Sequence, residues 1–215
     1  MVSNSSADDG NGPQKLKEGL WVFPPDNPFN SSRSWWLGCD PEPVLIDCPL
    51  VNQSNIETLK KLSLGRTCRI VLTNRESHGM VSELQEVLGW PVLVQEQEAY
   101  LLPEIDQLET FSQEHITSSG LRLLWTPGPS PGSCVVYAPR PWNVVFCGRL
   151  LIPLKKNHFG ALRTRKTFHW TRYQKSLGKL GKWLPSDASP ELASGAGLQS
   201  FSGGTLGHWE DWKKL

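Results

Sequence analysis

Apolar positions come in short runs, and the spacing inside each run predicts its element. Residues 20–23, 34–37 and 44–48 are rich in β-formers and divided by Pro, Asn, Asp and Gly, the pattern of a strand meander, with Pro49 stopping the third run. Ser54 stands where it can cap a helix carrying Ile56, Leu59 and Leu62 on one face, and Gly65 falls where a left-handed C-terminal turn is expected. A strand at 69–73 follows. Met80, Val81, Leu84, Val87 and Leu88 then recur at helical spacing ahead of Gly89, and 91–94 returns to strand character, so this stretch is a βαβ-like unit. Three more apolar runs, 121–125, 134–137 and 143–147, are separated by the turn-forming segments TPGPSPG and APRPW. Thr167 can cap a last helix with Trp170, Tyr173, Leu177, Leu180 and Leu184 inward and Arg172, Lys175, Lys179 and Lys182 toward solvent, ended by Pro185 and Pro190.

Residues 1–14 are polar and Gly/Ser/Asn-rich and are expected to form a disordered leader. Residues 15–200 then make one domain, and 201–215 a loosely held tail that continues the Gly-rich stretch 194–207. A chain of 215 residues with 38% hydrophobic side chains can bury one sizeable core. Its five cysteines form no CxxC pair and are odd in number, which argues against a disulfide framework or zinc knuckle and for free thiols in a reducing compartment. The opening lacks the charged start and apolar stretch of a signal peptide, and no apolar run nears the roughly 20 residues of a membrane span. A soluble, cytoplasmic protein without membrane partners is expected.

Charge is segregated behind a formal net of +1: residues 1–114 hold 8 Lys/Arg and 17 Asp/Glu, while 115–186 hold 12 Lys/Arg and no acid. That division suits an anionic partner or pairing between the two halves. No Gly-Lys-Ser/Thr loop and no GxGxxG occurs, so nucleotide binding of those kinds has no support.

Four segments, VLIDCP (44–49), IVLTNRESHG (70–79), WTPGPSPGS (125–133) and VVFCGRLL (144–151), together resemble the metallo-β-lactamase fold superfamily in order and spacing. They correspond to its strand ending in Asp, its Thr-His-x-His-x-Asp-His motif, its Thr-Pro-Gly-His-x-Pro-Gly turn and its strand ending in Gly-Asp. The resemblance spans roughly 20–197, and VQEQEAYLLP (94–103) and RKTFHW (165–170) resemble a subfamily from oxygenic photosynthetic bacteria that implies no particular activity. The resemblance implies an α/β four-layer αββα sandwich of two mixed sheets with outer helices, and an active site at one edge where the loops meet.

A dinuclear hydrolase of that kind aims neutral imidazoles and a carboxylate at two dications and uses a metal-bound hydroxide. Counted from Thr73, the motif's ligand places fall here on Asn74, Glu76, His78 and Gly79, of which only Glu76 and His78 could ligate; a short deletion would instead match His78 to the motif's last imidazole. Pro129 replaces the turn's imidazole, Arg149 the bridging carboxylate, and Ala196 the final imidazole between two glycines. A guanidinium stays protonated. Two unit charges of like sign ~4 Å apart cost about 4 kcal/mol at an effective dielectric of 20, and each dication doubles that, so Arg149 disfavours a metal pair. Asp47, Thr73, Gly128 and Gly148 keep structural roles on this reading: Asp47 caps amides at a strand end and the others shape turns. Cys48 and Cys147 read as small buried hydrophobes.

The expectation is a catalytically silent protein without cofactor that binds an anionic small molecule or a protein, with Arg75, His78 and Arg149 lining the old edge. A hydrolase rebuilt around one Zn or Fe, using Glu76 and His78 with His169 or a cysteine, is the alternative. A third is nucleic-acid binding through 150–183, where Lys155, Lys156, Arg163, Arg165, Lys166 and Arg172 are interleaved with aromatics.

Overall fold

The computed structural model describes residues 12–25, 32–155, 158–196 and 206–207. Seven strands form the first sheet in chain order: β1 (Gln14–Lys17), β2 (Leu20–Phe23), β3 (Ser34–Leu37), β4 (Val44–Ile46), β5 (Arg69–Val71), β6 (Val92–Gln95) and β7 (Leu108–Phe111). β1 to β4 are antiparallel neighbours, and β4 to β7 run parallel because helices α1 (Gln53–Ser63) and α2 (Val81–Leu88) and the 3-10 turns at Glu96–Leu101 cross over between them in succession. The second sheet has β8 (Glu114–Ile116), β9 (Arg122–Trp125), β10 (Cys134–Ala138), β11 (Val144–Phe146) and β14 (Glu191–Ala193) in the order β14-β11-β10-β9-β8, with only β11 and β14 parallel. A separate hairpin, β12 (Ile152–Lys155) with β13 (His158–Gly160), leads toward α3 (Trp170–Trp183).

Strand alternation divides the core into three layers of contact. Leu20, Trp35, Ile46 and Val71 of the first sheet face Leu123, Val136, Val144 and Phe146 of the second, and Trp35 meets Phe146 edge-on with ring centroids 5.5 Å apart. The next residue, Trp36, points to the other side, beside Trp90, Leu59 and Leu84 under α1 and α2. Tyr173, Leu177 and Leu180 of α3 cover Val135, Tyr137 and Val145. The result is an αββα sandwich, with helices outside both sheets. Each large apolar side chain buried this way contributes about 1.5–3 kcal/mol. Among the described residues no helix is long and apolar enough to cross a membrane.

Several elements differ from the pattern reading. Asn52, not Ser54, caps α1 through a bond from the Asn55 amide, and His169, not Thr167, caps α3 by accepting from the Arg172 amide through Nδ1. The left-handed turn expected at Gly65 (φ 74°) is there, but it begins one residue earlier, at Leu64 (φ 52°). β1, β7, β8, the β12–β13 hairpin and β14 have no clear apolar alternation and were not expected. Gln14, placed in the leader, starts β1 and pairs with Val22, while residues 1–11 lie outside the described residues. Within the stretch expected to be loose, Ser194 and Ala196 are buried and Gly207 exchanges backbone bonds with Leu192, which fixes the tail to β14 at that point; 197–205 and 208–215 lie outside the described residues.

Candidate functional site

The C-terminal ends of β4 and β5, the turn 126–133 and the loop after β11 converge at one edge of the sandwich. Asp47 follows β4 with left-handed backbone (φ 62°), which turns its carboxylate back onto the next strand. It accepts from the Thr73 amide at 2.7 Å and from Thr73 Oγ1 at 2.8 and 2.9 Å. Complete burial pushes the Asp47 carboxyl up to about 7, although the Thr73 donors and the Arg149 charge pull the other way. Gly148 (φ 50°) lies against this pair: a Cβ there would sit 2.7 Å from Thr73 Oγ1. Only glycine fits.

After Thr73 the chain makes a short 3-10 turn at Arg75–Ser77, capped by Asn74, whose Oδ1 accepts from the Glu76 amide at 3.0 Å and whose Nδ2 donates to Ser77 Oγ at 2.9 Å. Asn74 is therefore consumed by local structure. The turn carries Arg75 to solvent and aims Glu76 at the loop after β11, where Glu76 Oε2 is 3.2 Å from Arg149 Nε and 3.6 Å from Lys166 Nζ. The Arg149 Nε–H is buried, is not aligned on that oxygen and has no other acceptor among the described residues. Tyr173 of α3 donates to the carbonyls of Arg149 and Leu150, at 3.0 and 2.7 Å, and fixes the backbone that carries the guanidinium.

His78 faces elsewhere. Its Nε2 is 3.6 Å from Oε2 of Glu98, which is only 1% exposed, and neither atom has a hydrogen-bond partner among the described residues. Glu98 Oε1 accepts from the Gly132 amide at 3.0 Å, so this carboxylate ties the His78 loop to the turn 126–133. In that turn Pro129 presents only its carbonyl, to the Phe168 amide, and Gly128 (φ 143°) packs so tightly that a Cβ would lie 2.3 Å from Tyr173 Cα. Gly79 also has left-handed backbone and abuts Cys48. Ala196 bridges to Ser32, and its carbonyl receives Nη1 of Arg33 at 3.4 Å; burial pushes the Arg33 guanidinium down. Arg33 and Glu98 were both missed in the sequence. Arg33 lies in a polar stretch before a strand, and Glu98 is one of several acids in QEQEAY.

The donor set does not fit a metal pair. Asn74, Gly79, Pro129, Arg149 and Ala196, which the resemblance sets at ligand places, offer no imidazole or carboxylate, and Glu76 turns to two cations instead of to His78. Among the described residues no three His, Cys, Asp or Glu side chains come together as a metal-binding group. The five cysteines are buried and unpaired, and burial raises all their thiols, Cys48, Cys68 and Cys147 to about 12. Arg163, Arg165 and Arg172 are exposed and Lys166 reaches Glu76; only the backbone of Lys155 is described, and Lys156 lies outside the described residues.

No protein-family model and no curated protein matches the chain. Solved structures do. The DIM-1 metallo-β-lactamase superposes with a TM-score of 0.69 at 15% identity, over 91% of this chain and 90% of that one. A metallo-β-lactamase from Pontibacter korlensis gives 0.66 at 20% identity over 91% and 92%. An archaeal metallo-β-lactamase superfamily protein, ST1585 from Sulfolobus tokodaii, gives 0.60 at 17% identity over 91% and 84%. The chain has the metallo-β-lactamase fold. At these identities the likeness establishes the architecture and leaves the chemistry to the residues at the edge.

Proposed function

We propose that this chain uses the metallo-β-lactamase fold without its dinuclear centre, as a non-catalytic protein that binds an anionic ligand at the loop edge. The observation that carries the reading is the Arg149–Glu76 ion pair: a permanent cation, at the position the resemblance gives to the bridging carboxylate, holds one of the two residues of that motif able to ligate. A dication beside Arg149 meets repulsion, and the missing imidazoles leave nothing to offset it. An anion meets the opposite field, from Arg149 and Lys166 against the partly exposed Glu76 carboxylate and Asp47, whose burial favours its neutral form. Metal analysis of chain purified without chelator from zinc- and iron-supplemented medium tests it. Substoichiometric metal is expected, and about two equivalents per chain, the content of a two-metal site, would overturn the reading.

A second reading, a mononuclear hydrolase, draws support from His78 Nε2 and Glu98 Oε2 at 3.6 Å, since two ligands about 2 Å from one tetrahedral zinc lie roughly 3.4 Å apart. It needs a third protein donor. About one bound equivalent that disappears in His78→Ala would favour this reading over the first.

A further inference from the structure

Glu76 lies between two different environments. On one side it pairs with Arg149 and Lys166. On the other it lines a groove of about 210 Å³ with Pro25, Ser32, Cys48, Leu50 and Met80, a largely apolar wall in which Leu50 and Met80 are 43% and 60% exposed. One carboxylate cannot neutralise two cations, and the Arg149 Nε–H beside it is buried with no acceptor in line. A buried donor left unmatched is costly, so the arrangement gains when an oxyanion with more oxygens takes the place of the single Glu76 oxygen. Resting on the metal-free binding reading above, we propose that Glu76 is a built-in competitor occupying an oxyanion seat, and that the ligand is a small phosphate monoester with an apolar substituent.

The chemistry selects that class. A tetrahedral dianion offers three terminal oxygens to a guanidinium fork and an ammonium, whereas a carboxylate offers two and one charge. The apolar substituent would then lie along Leu50 and Met80, removing exposed apolar surface from water. Displacing Glu76 frees its side chain to turn to solvent, which it already partly meets at 23% exposure. The anion takes over Arg149 and Lys166, and no bond is made or broken.

Isothermal titration of the full chain with phenyl phosphate, inorganic phosphate and benzoate separates the contributions. Phenyl phosphate is expected to bind saturably and more tightly than inorganic phosphate, and benzoate more weakly than either. Glu76→Gln should bind phenyl phosphate about fivefold more tightly, the scale of one partly exposed ion pair removed from competition. A carboxylate with a merely structural role would leave affinity unchanged or lower it. Arg149→Gln should weaken binding tenfold or more, and Arg149→Lys, which keeps the charge without the fork, should fall between. No saturable phosphate binding, or a Glu76→Gln affinity equal to or below the parent's, overturns the inference. If metal analysis still finds the chain metal-free, such a failure leaves the binding reading standing; a metal-loaded chain overturns both.

Discussion

Asp47 is held in a place where its charge is costly. Its burial favours the protonated form in the folded chain, so its contribution to stability is full below the carboxyl's ordinary value near 3.8 and is lost as pH rises through about 7. Asp47→Asn cannot ionise. Relative to the parent, this variant should therefore gain stability between about pH 4 and 7, by on the order of 1 kcal/mol per pH unit, with no further gain above about pH 8. Urea midpoints at three pH values check this, and parallel pH profiles would contradict it. The cysteines give a second expectation at this scale, because a buried thiol raised to about 12 is neither ionised nor accessible. None of the five should react with a thiol probe at pH 8 in the native chain over the time in which all five react in denaturant. One that labels quickly in the native state would show that its strand end opens.

The junction between α3 and the turn 126–133 is where element packing matters to the site. Gly128 leaves room for Tyr173, Ser176 donates to the Pro127 carbonyl at 2.7 Å, and Tyr173 in turn holds the carbonyls of Arg149 and Leu150. Gly128→Ala sets a Cβ 2.3 Å from the helix backbone as well as straining a positive φ, so a loss of roughly 3–5 kcal/mol in denaturant stability is expected. Tyr173→Phe keeps the ring and removes only the hydroxyl, whose single proton is shared between the two carbonyls, at a cost of about 1–3 kcal/mol. Its further effect should be weaker phosphate binding at unchanged secondary structure, since the Arg149 backbone loses its anchor. Circular dichroism together with titration separates the two.

Across the whole molecule the acid-free stretch builds β9 to β13 and α3, so it forms the outer face of the second sheet. Arg163, Arg165, Arg172, Lys175 and Lys182 are all exposed there, while Glu83, Glu86, Glu104 and Asp106 line a cleft of about 810 Å³ beside α2, outside the first sheet. Opposite layers thus carry opposite charge. Despite a formal net charge of +1, the chain should be retained by a cation exchanger at pH 7.5 and low salt through the α3 face. Lys175→Glu with Lys182→Glu should elute at clearly lower salt, and elution unchanged by this reversal would show that the segregation creates no working surface. Polynucleotide binding that weakens steeply with salt would assign that face to nucleic acid.

The sequence by itself determined the strongly patterned elements, because the runs of β-formers at Leu20–Phe23 and Ser34–Leu37, bounded by turn residues, and the helical spacing in Val81–Leu88 and Trp170–Trp183 are local signals. It also shows that Pro129 and Ala196, which the resemblance sets at ligand places, carry no side-chain donor. What it left open was pairing. Short strands such as Glu114–Ile116 and Glu191–Ala193 become strands only because a neighbour supplies their hydrogen bonds, and no periodicity announces that. The partners of charged side chains were equally hidden, for Glu76 and Arg149 lie 73 positions apart and His78 meets Glu98 rather than Glu76. Charge pairing depends on distance in space, and only the folding of both sheets against each other set those distances.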